Sequence, residues 1–168
     1  MASCRHAKTP RRPAGGWDGA AVTELEIRRL TRKDIPAART MFEMMALVFE
    51  EDYEPLGDDY LNDLLGREGF WALAAFAGPD LVGGLTAHTL PMTRSPSSEV
   101  FIYDLAVRQD HRRRGVARRL IADLRAAAAA EGIHEVFVPA DDDDRHALAF
   151  YRALGAVASP VTMFTFGD

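Results

Sequence analysis

Residues 99–121 read EVFIYDLAVRQDHRRRGVARRLI, and the architecture of the chain turns on how this stretch is parsed. Its first nine residues are β-branched, aromatic and apolar, the composition of a strand. From Gly115 to Glu131 the apolar residues Val116, Leu120, Ile121 and Leu124 recur at helical steps, and Gly132 closes the run. A strand therefore passes into a long helix through a short loop with three consecutive arginines. A helix N-terminus leaves backbone N–H groups unpaired and carries a positive partial charge, so an anion is stabilised there. Gly115 and Ala117 lack bulk where backbone must approach a ligand, and Arg112, Arg113 and Arg114 add charge at the rim. Val107 to Ala117 is the candidate anion site; a basic loop with no ligand is the alternative that spacing leaves open.

The residues after Gly115 narrow the choice of anion. A nucleoside-triphosphate loop needs a lysine followed by Ser or Thr, and Val116 and Ala117 stand here instead. A dinucleotide fingerprint needs three glycines, and this turn has Gly115 alone.

Working outward, ELEIRRL (24–30) reads as a short strand, and Thr31 with Asp34 forms a helix-start pattern. Ile35 to Phe49 is helical by its apolar spacing, with Pro36 in the first turn. DDYLNDLLG (58–66) predicts a second helix. FWALAAF (70–76) and LVGGLTAHTL (81–90), joined by AGPD, predict an antiparallel hairpin. EVFVPA (135–140) predicts a strand, RHALAFYRAL (145–154) a helix, and VTMFTF (161–166) a closing strand. The expected class is α/β: a mixed, mostly antiparallel twisted sheet with helices on both faces. Residues 1–22 read as a disordered basic tail and 23–168 as a single domain.

The net charge of −5 conceals an asymmetry. Residues 1–16 carry four basic side chains and no acid, which leaves −9 on the remainder. So acidic a body argues against nucleic-acid binding and suits a cationic small molecule. The one cysteine, Cys4, lies in the tail, which excludes a disulfide framework and points to a reducing, cytoplasmic setting. No apolar run is long enough to span a bilayer, and no membrane partner is expected. His88, His134 and His146 lack ligand spacing, so no metal is expected; His111 reads as a loop residue beside the anion site.

Arg112-x-x-Gly115-x-Ala117, after a strand ending LAV and before an amphipathic helix, resembles the acetyl-CoA pyrophosphate signature of the GNAT superfamily of N-acetyltransferases. Within that superfamily FWALAAF, LVGG, SSEVFIYDLAV, HRRRGVA and VPADDDDRHALAFYRALG resemble the gentamicin-type aminoglycoside 3-N-acetyltransferases, over roughly residues 59–155. The resemblance implies the GNAT acyl-CoA fold, acetyl-CoA as co-substrate, direct transfer to an aminoglycoside amine, the 3-amino group by likeness, and a homodimer. It also implies a bulge in the 99–107 strand that splays it from 135–140. Acetylation of another amine, and a catalytically silent acyl-CoA-binding module, are the competing readings.

By that resemblance the pyrophosphate rests on the amides of Arg112, Arg113, Arg114, Gly115, Val116 and Ala117, and the pantetheine arm follows Leu105, Ala106 and Val107, whose N–H groups would polarise the thioester carbonyl. Asp104, a carboxylate inside an apolar strand, would hold the acceptor amine and take its proton; a strand aspartate paired with an arginine is the structural alternative. Tyr151 would protonate the departing sulfur, or else is an amphipathic tyrosine packed on the sheet. Tyr103, Asp141, Asp144 and Glu51 would line the acceptor cleft, carboxylates suiting a polycation. Asp144 is equally placed to cap a helix. By alternation Tyr103 faces away from Asp104 unless the bulge intervenes.

Overall fold

The computed structural model describes residues 24–167, and the expected tail lies outside them. A five-stranded sheet in the order β1-β2-β3-β4-β5 is built from Leu25–Arg29, Phe70–Ala77, Asp80–Pro91, Ser98–Val107 and Glu135–Phe137. The first four strands pair antiparallel; β5 joins β4 parallel after a crossover through a helix. The helices are α1 (Ile35–Phe49), α2 (Asp58–Leu65), α3 (Val116–Ala130) and α4 (Arg145–Ala153). None among the described residues is long and apolar enough to cross a membrane.

β2 shows why FWALAAF is an unbroken apolar run. Trp71, Leu73 and Ala75 enter a core shared with Val116, Leu120, Ile121 and Leu124 of α3. Phe70, Ala72, Ala74 and Phe76 enter a second core with Met41, Met44 and Met45 of α1. A strand covered on both faces has no polar side to show. The neighbouring strand makes room for both helices with consecutive glycines. A Cβ on Gly83 would sit 2.8 Å from Val116 Cγ1, and one on Gly84 would sit 2.5 Å from Met41 Cγ.

Thr31 and Asp34 do form a capping box, but it opens a single 3-10 turn, Arg32–Asp34, that leads into α1. At the other end of α1, Glu50 adopts a left-handed conformation (φ 59°) and Glu51 N–H bonds Ala46 O at 3.0 Å.

Two expectations fail at the C-terminal side. Of EVFVPA only Glu135–Phe137 pairs in the sheet, and VTMFTF forms no strand. β-propensity makes a strand only where a paired neighbour satisfies the backbone, and no strand of the sheet pairs with residues 161–166. Val161, Met163, Phe164 and Phe166 are accordingly exposed.

Candidate active site at the strand-to-helix junction

The bulge that the resemblance implies is present. Thr86 pairs with Asp104 but Ala87 pairs with Ile102, so Tyr103 is an extra residue on β4 with no counterpart on β3. The extra residue breaks the simple alternation. Tyr103 packs edge-on against His88 with ring centroids 5.9 Å apart, while Asp104 Oδ2 accepts a hydrogen bond from Thr86 Oγ1 at 2.9 Å. Thr86 and His88 are two apart on β3 and share one face of the sheet, so Tyr103 and Asp104 come to that face together. It is the face covered by α1. The strand's other neighbour also departs here: β5 pairs with Glu99 to Phe101 only, and β4 continues from Ile102 to Val107 without a β5 partner.

Asp104 is half-buried. Removal from water raises its pKa above the ordinary carboxylate value, the Thr86 hydroxyl pulls it back, the Glu51 charge raises it again and His88 lowers it. Glu51 reaches this site because the left-handed Glu50 ends α1 and redirects the chain. Around Asp104 the rings of Phe70, His88, Tyr103, Phe101 and Phe137 follow one another at centroid separations of 5.3 to 5.9 Å. Thr86 stands out only in the structure, and His88, read from the sequence solely as lacking metal-ligand spacing, proves to lie beside Asp104. Their signal is present in LVGGLTAHTL, where two polar residues alternate within a buried strand, but their partner becomes visible only through the β3–β4 register.

Beyond Val107 the chain makes a 3-10 turn, Gln109–His111, and then α3 begins. Arg113 (φ 62°) and Gly115 (φ 84°) both adopt left-handed backbone, and no side chain caps α3. The N–H groups of Arg113, Arg114 and Gly115 make no hydrogen bond of ordinary geometry within the described residues. Together with the opening amides of α3 they form a run of unpaired backbone donors, the kind of group that binds an anion. Arg112 differs from the others: its N–H donates to Gln109 O at 3.3 Å and its guanidinium to Val107 O at 3.3 Å. It ties the loop to the end of β4. Asp110 is held at about 2 by the Arg108 guanidinium, with His111 beside it. Leu105 and Val107 pack against the α3-side core, whereas Ala106 belongs to the α1-side core.

Tyr151, on α4, packs against the α3-side core with Phe150, 5.2 Å between ring centroids. Burial, and then the Asp144 charge, raise its pKa and keep its hydroxyl protonated through the neutral range. Asp144 caps α4, its Oδ1 accepting from His146 N at 3.0 Å and Ala147 N at 2.9 Å. Asp141 is exposed and holds the same turn through its carbonyl, which accepts from Asp144 N. The structure thus brings Asp104, Tyr103 and Glu51 to one place on the α1 side, and Tyr151 to the α3 side of the sheet.

A profile of the acetyltransferase (GNAT) family matches residues 38–156. An aminoglycoside acetyltransferase from an uncultured soil metagenomic sample, HMB0005, is 32% identical, superposes with a TM-score of 0.82, and is covered over 99% of its length by 86% of this chain. A second soil metagenomic aminoglycoside acetyltransferase, meta-AAC0020, solved in complex with sisomicin, is 31% identical at the same TM-score of 0.82, with 86% of this chain covering 96% of it. An uncharacterised N-acetyltransferase of Bacillus subtilis (strain 168), YycN, is 29% identical over 119 residues, 67% of this chain and 74% of that one. The bulged β4, the donor row opening α3 and these likenesses agree, and the chain belongs to the GNAT acetyltransferase family.

Proposed function

We propose that this protein transfers the acetyl group of acetyl-CoA directly to an aminoglycoside, at the 3-amino group. The observation that carries the reading is Asp104, a half-buried carboxylate at a bulge where β4 has lost its β5 partner, with the Glu51 charge and an aromatic row beside it. The likeness to two aminoglycoside acetyltransferases at above 30% identity supports the acceptor class.

The residues present fit acetyl-CoA as co-substrate. The amides of Arg113 to Ala117 suit its pyrophosphate, with Arg114 and Arg113 side chains at the rim, and the stretch Leu105 to Val107, paired with β3 but without a β5 partner, suits the pantetheine arm. In the reaction the amine nitrogen bonds to the thioester carbonyl carbon, and the carbon–sulfur bond breaks. As the nitrogen bonds, its N–H becomes acidic, and Asp104 accepts the proton. From the α3 side, across the stretch where β4 lacks a β5 partner, Tyr151, kept protonated, donates a hydrogen bond and then a proton to the leaving sulfur. Glu51, Asp141 and the uncapped oxygen of Asp144 supply negative charge for the remaining ammonium groups, and Tyr103 a wall for a sugar ring.

The test is product analysis. After incubation with acetyl-CoA and gentamicin or sisomicin, NMR should show one acetyl group, on the 3-amino nitrogen. Acetylation at another nitrogen would overturn the regiochemistry alone. Acetylation of spermidine but of no aminoglycoside would overturn the acceptor class, and the absence of thiol release with every amine tried would favour a silent acyl-CoA-binding module.

A further inference from the structure

We propose that Thr86 is a positioning residue for acetyl transfer: its buried hydroxyl fixes one oxygen of Asp104 so that the other is presented to the acceptor amine. The inference rests on the role given to Asp104 above and extends it to a residue on the neighbouring strand.

Among the described residues, Thr86 is the one buried polar side chain, 5% exposed. Its neighbours on β3, Leu85 and Ala87, turn to the α3-side core, so Thr86 is buried on the opposite face, beneath α1. A hydroxyl placed in such surroundings without a partner costs free energy, so its position calls for a bond, and Asp104 Oδ2 provides one at 2.9 Å. The two residues are direct cross-strand partners, and the register shift follows immediately, between Thr86 and Ala87. The bond therefore sits at the bulge itself. It fixes the carboxylate at the one point of β4 where regular pairing does not. A carboxylate has two oxygens, and Oδ1 has no hydrogen-bond partner among the described residues. With Oδ2 held, proton acceptance falls to Oδ1.

The other groups acting on Asp104 cannot replace this bond. Glu51, from the turn after α1, is a like charge. His88 acts only through its charge and is engaged edge-on with the Tyr103 ring. α1, packed on the same face, turns the thioethers of Met41 and Met45 toward Gly84 of β3. Thr86 is the single hydrogen-bond donor to Asp104 within the described residues.

The test compares Thr86→Val, which keeps the shape and removes the donor, with Thr86→Ser, which keeps the donor. In Thr86→Val the charged carboxylate loses a hydrogen bond worth about one to two pH units, so the acid limb of kcat/KM should move up by that amount. Turnover with an aminoglycoside should fall about tenfold or more, with KM for acetyl-CoA unchanged. Thr86→Ser should restore both. Carbon-13 NMR of the aspartate carboxyls, on protein without substrates, should show the same upward shift of the Asp104 midpoint in Thr86→Val. An Asp104 midpoint and acid limb identical to those of the unaltered protein would overturn the proposal, as would a serine variant as impaired as the valine one. Asp104→Asn separates the two claims. If it retains full turnover, the role of Asp104 is wrong, while the NMR titration still reads the Thr86 bond; if it loses turnover and Thr86→Val does not, only the positioning role falls.

Discussion

Gly115 and Gly132 bracket α3, and replacing each with alanine gives an internally controlled test of the anion site. Both have left-handed backbone, φ 84° and 78°, and a Cβ at either would meet no atom within 4 Å. The intrinsic penalty is therefore the same at the two positions, about 1 kcal/mol for an L-residue held in that conformation, or roughly 2–4 °C in Tm for a chain of this size. They differ in what depends on the backbone. Gly132 only ends the helix. Gly115 joins the donors of Arg113 and Arg114 to those that open α3, and relaxing its φ reorients the amides on either side of it. Losing one charge-assisted hydrogen bond costs about 1.5–3 kcal/mol. That corresponds to a KM for acetyl-CoA raised by roughly ten- to a hundredfold, with kcat little changed. Steady-state thiol release at varied acetyl-CoA, with thermal melts of both variants, reads the comparison. Equal effects of Gly115→Ala and Gly132→Ala on KM would refute the assignment of the donor row to the cofactor.

Other expectations follow from single side chains. Glu51→Gln removes a like charge from Asp104, so the raised pKa should fall and the acid limb of kcat/KM should move to lower pH; an unmoved or upward-moving limb would contradict the site's electrostatics. Glu50→Gly relieves a left-handed glutamate at the end of α1 and should raise stability by about 1 kcal/mol in urea denaturation, since the exposed Glu50 side chain has no hydrogen bond or ion pair among the described residues. Leu120→Ala opens a cavity in the fully buried layer between α3 and the sheet and should cost about 2–5 kcal/mol, read as a lowered urea midpoint.

The α3 junction was legible because each of its signals is local. Apolar spacing from Val116 to Leu124 gives the helix, and Gly115 gives the left-handed turn before it. β2 and β3 were legible for the same reason, as apolar runs bounded by the Gly78–Pro79 turn. The bulge was not written in the residues of β4. EVFIYDLAV reads as one continuous strand-like run, and the skip at Tyr103 exists only in the pairing of β4 with β3, so it entered through the family resemblance. Thr86 was missed on the same account, since a threonine in a strand means little until its cross-strand partner is known. The 161–166 segment shows the reverse error: a strong strand pattern with no paired edge. At Arg112 the structure adds detail that the sequence could not carry, since its N–H and Nε are directed at Gln109 O and Val107 O.

The central claim is that Asp104 takes the proton of an aminoglycoside amine, and one measurement addresses it directly: kcat and KM for thiol release from acetyl-CoA with sisomicin as acceptor, for the unaltered protein and Asp104→Asn. The account predicts robust turnover in the first. In the second it predicts a kcat lower by about a hundredfold or more, an unchanged KM for acetyl-CoA, and a melting temperature no lower, because burial already disfavours the charge that the substitution removes. Undiminished turnover in Asp104→Asn, or a collapse of acetyl-CoA binding with kcat preserved, would contradict it.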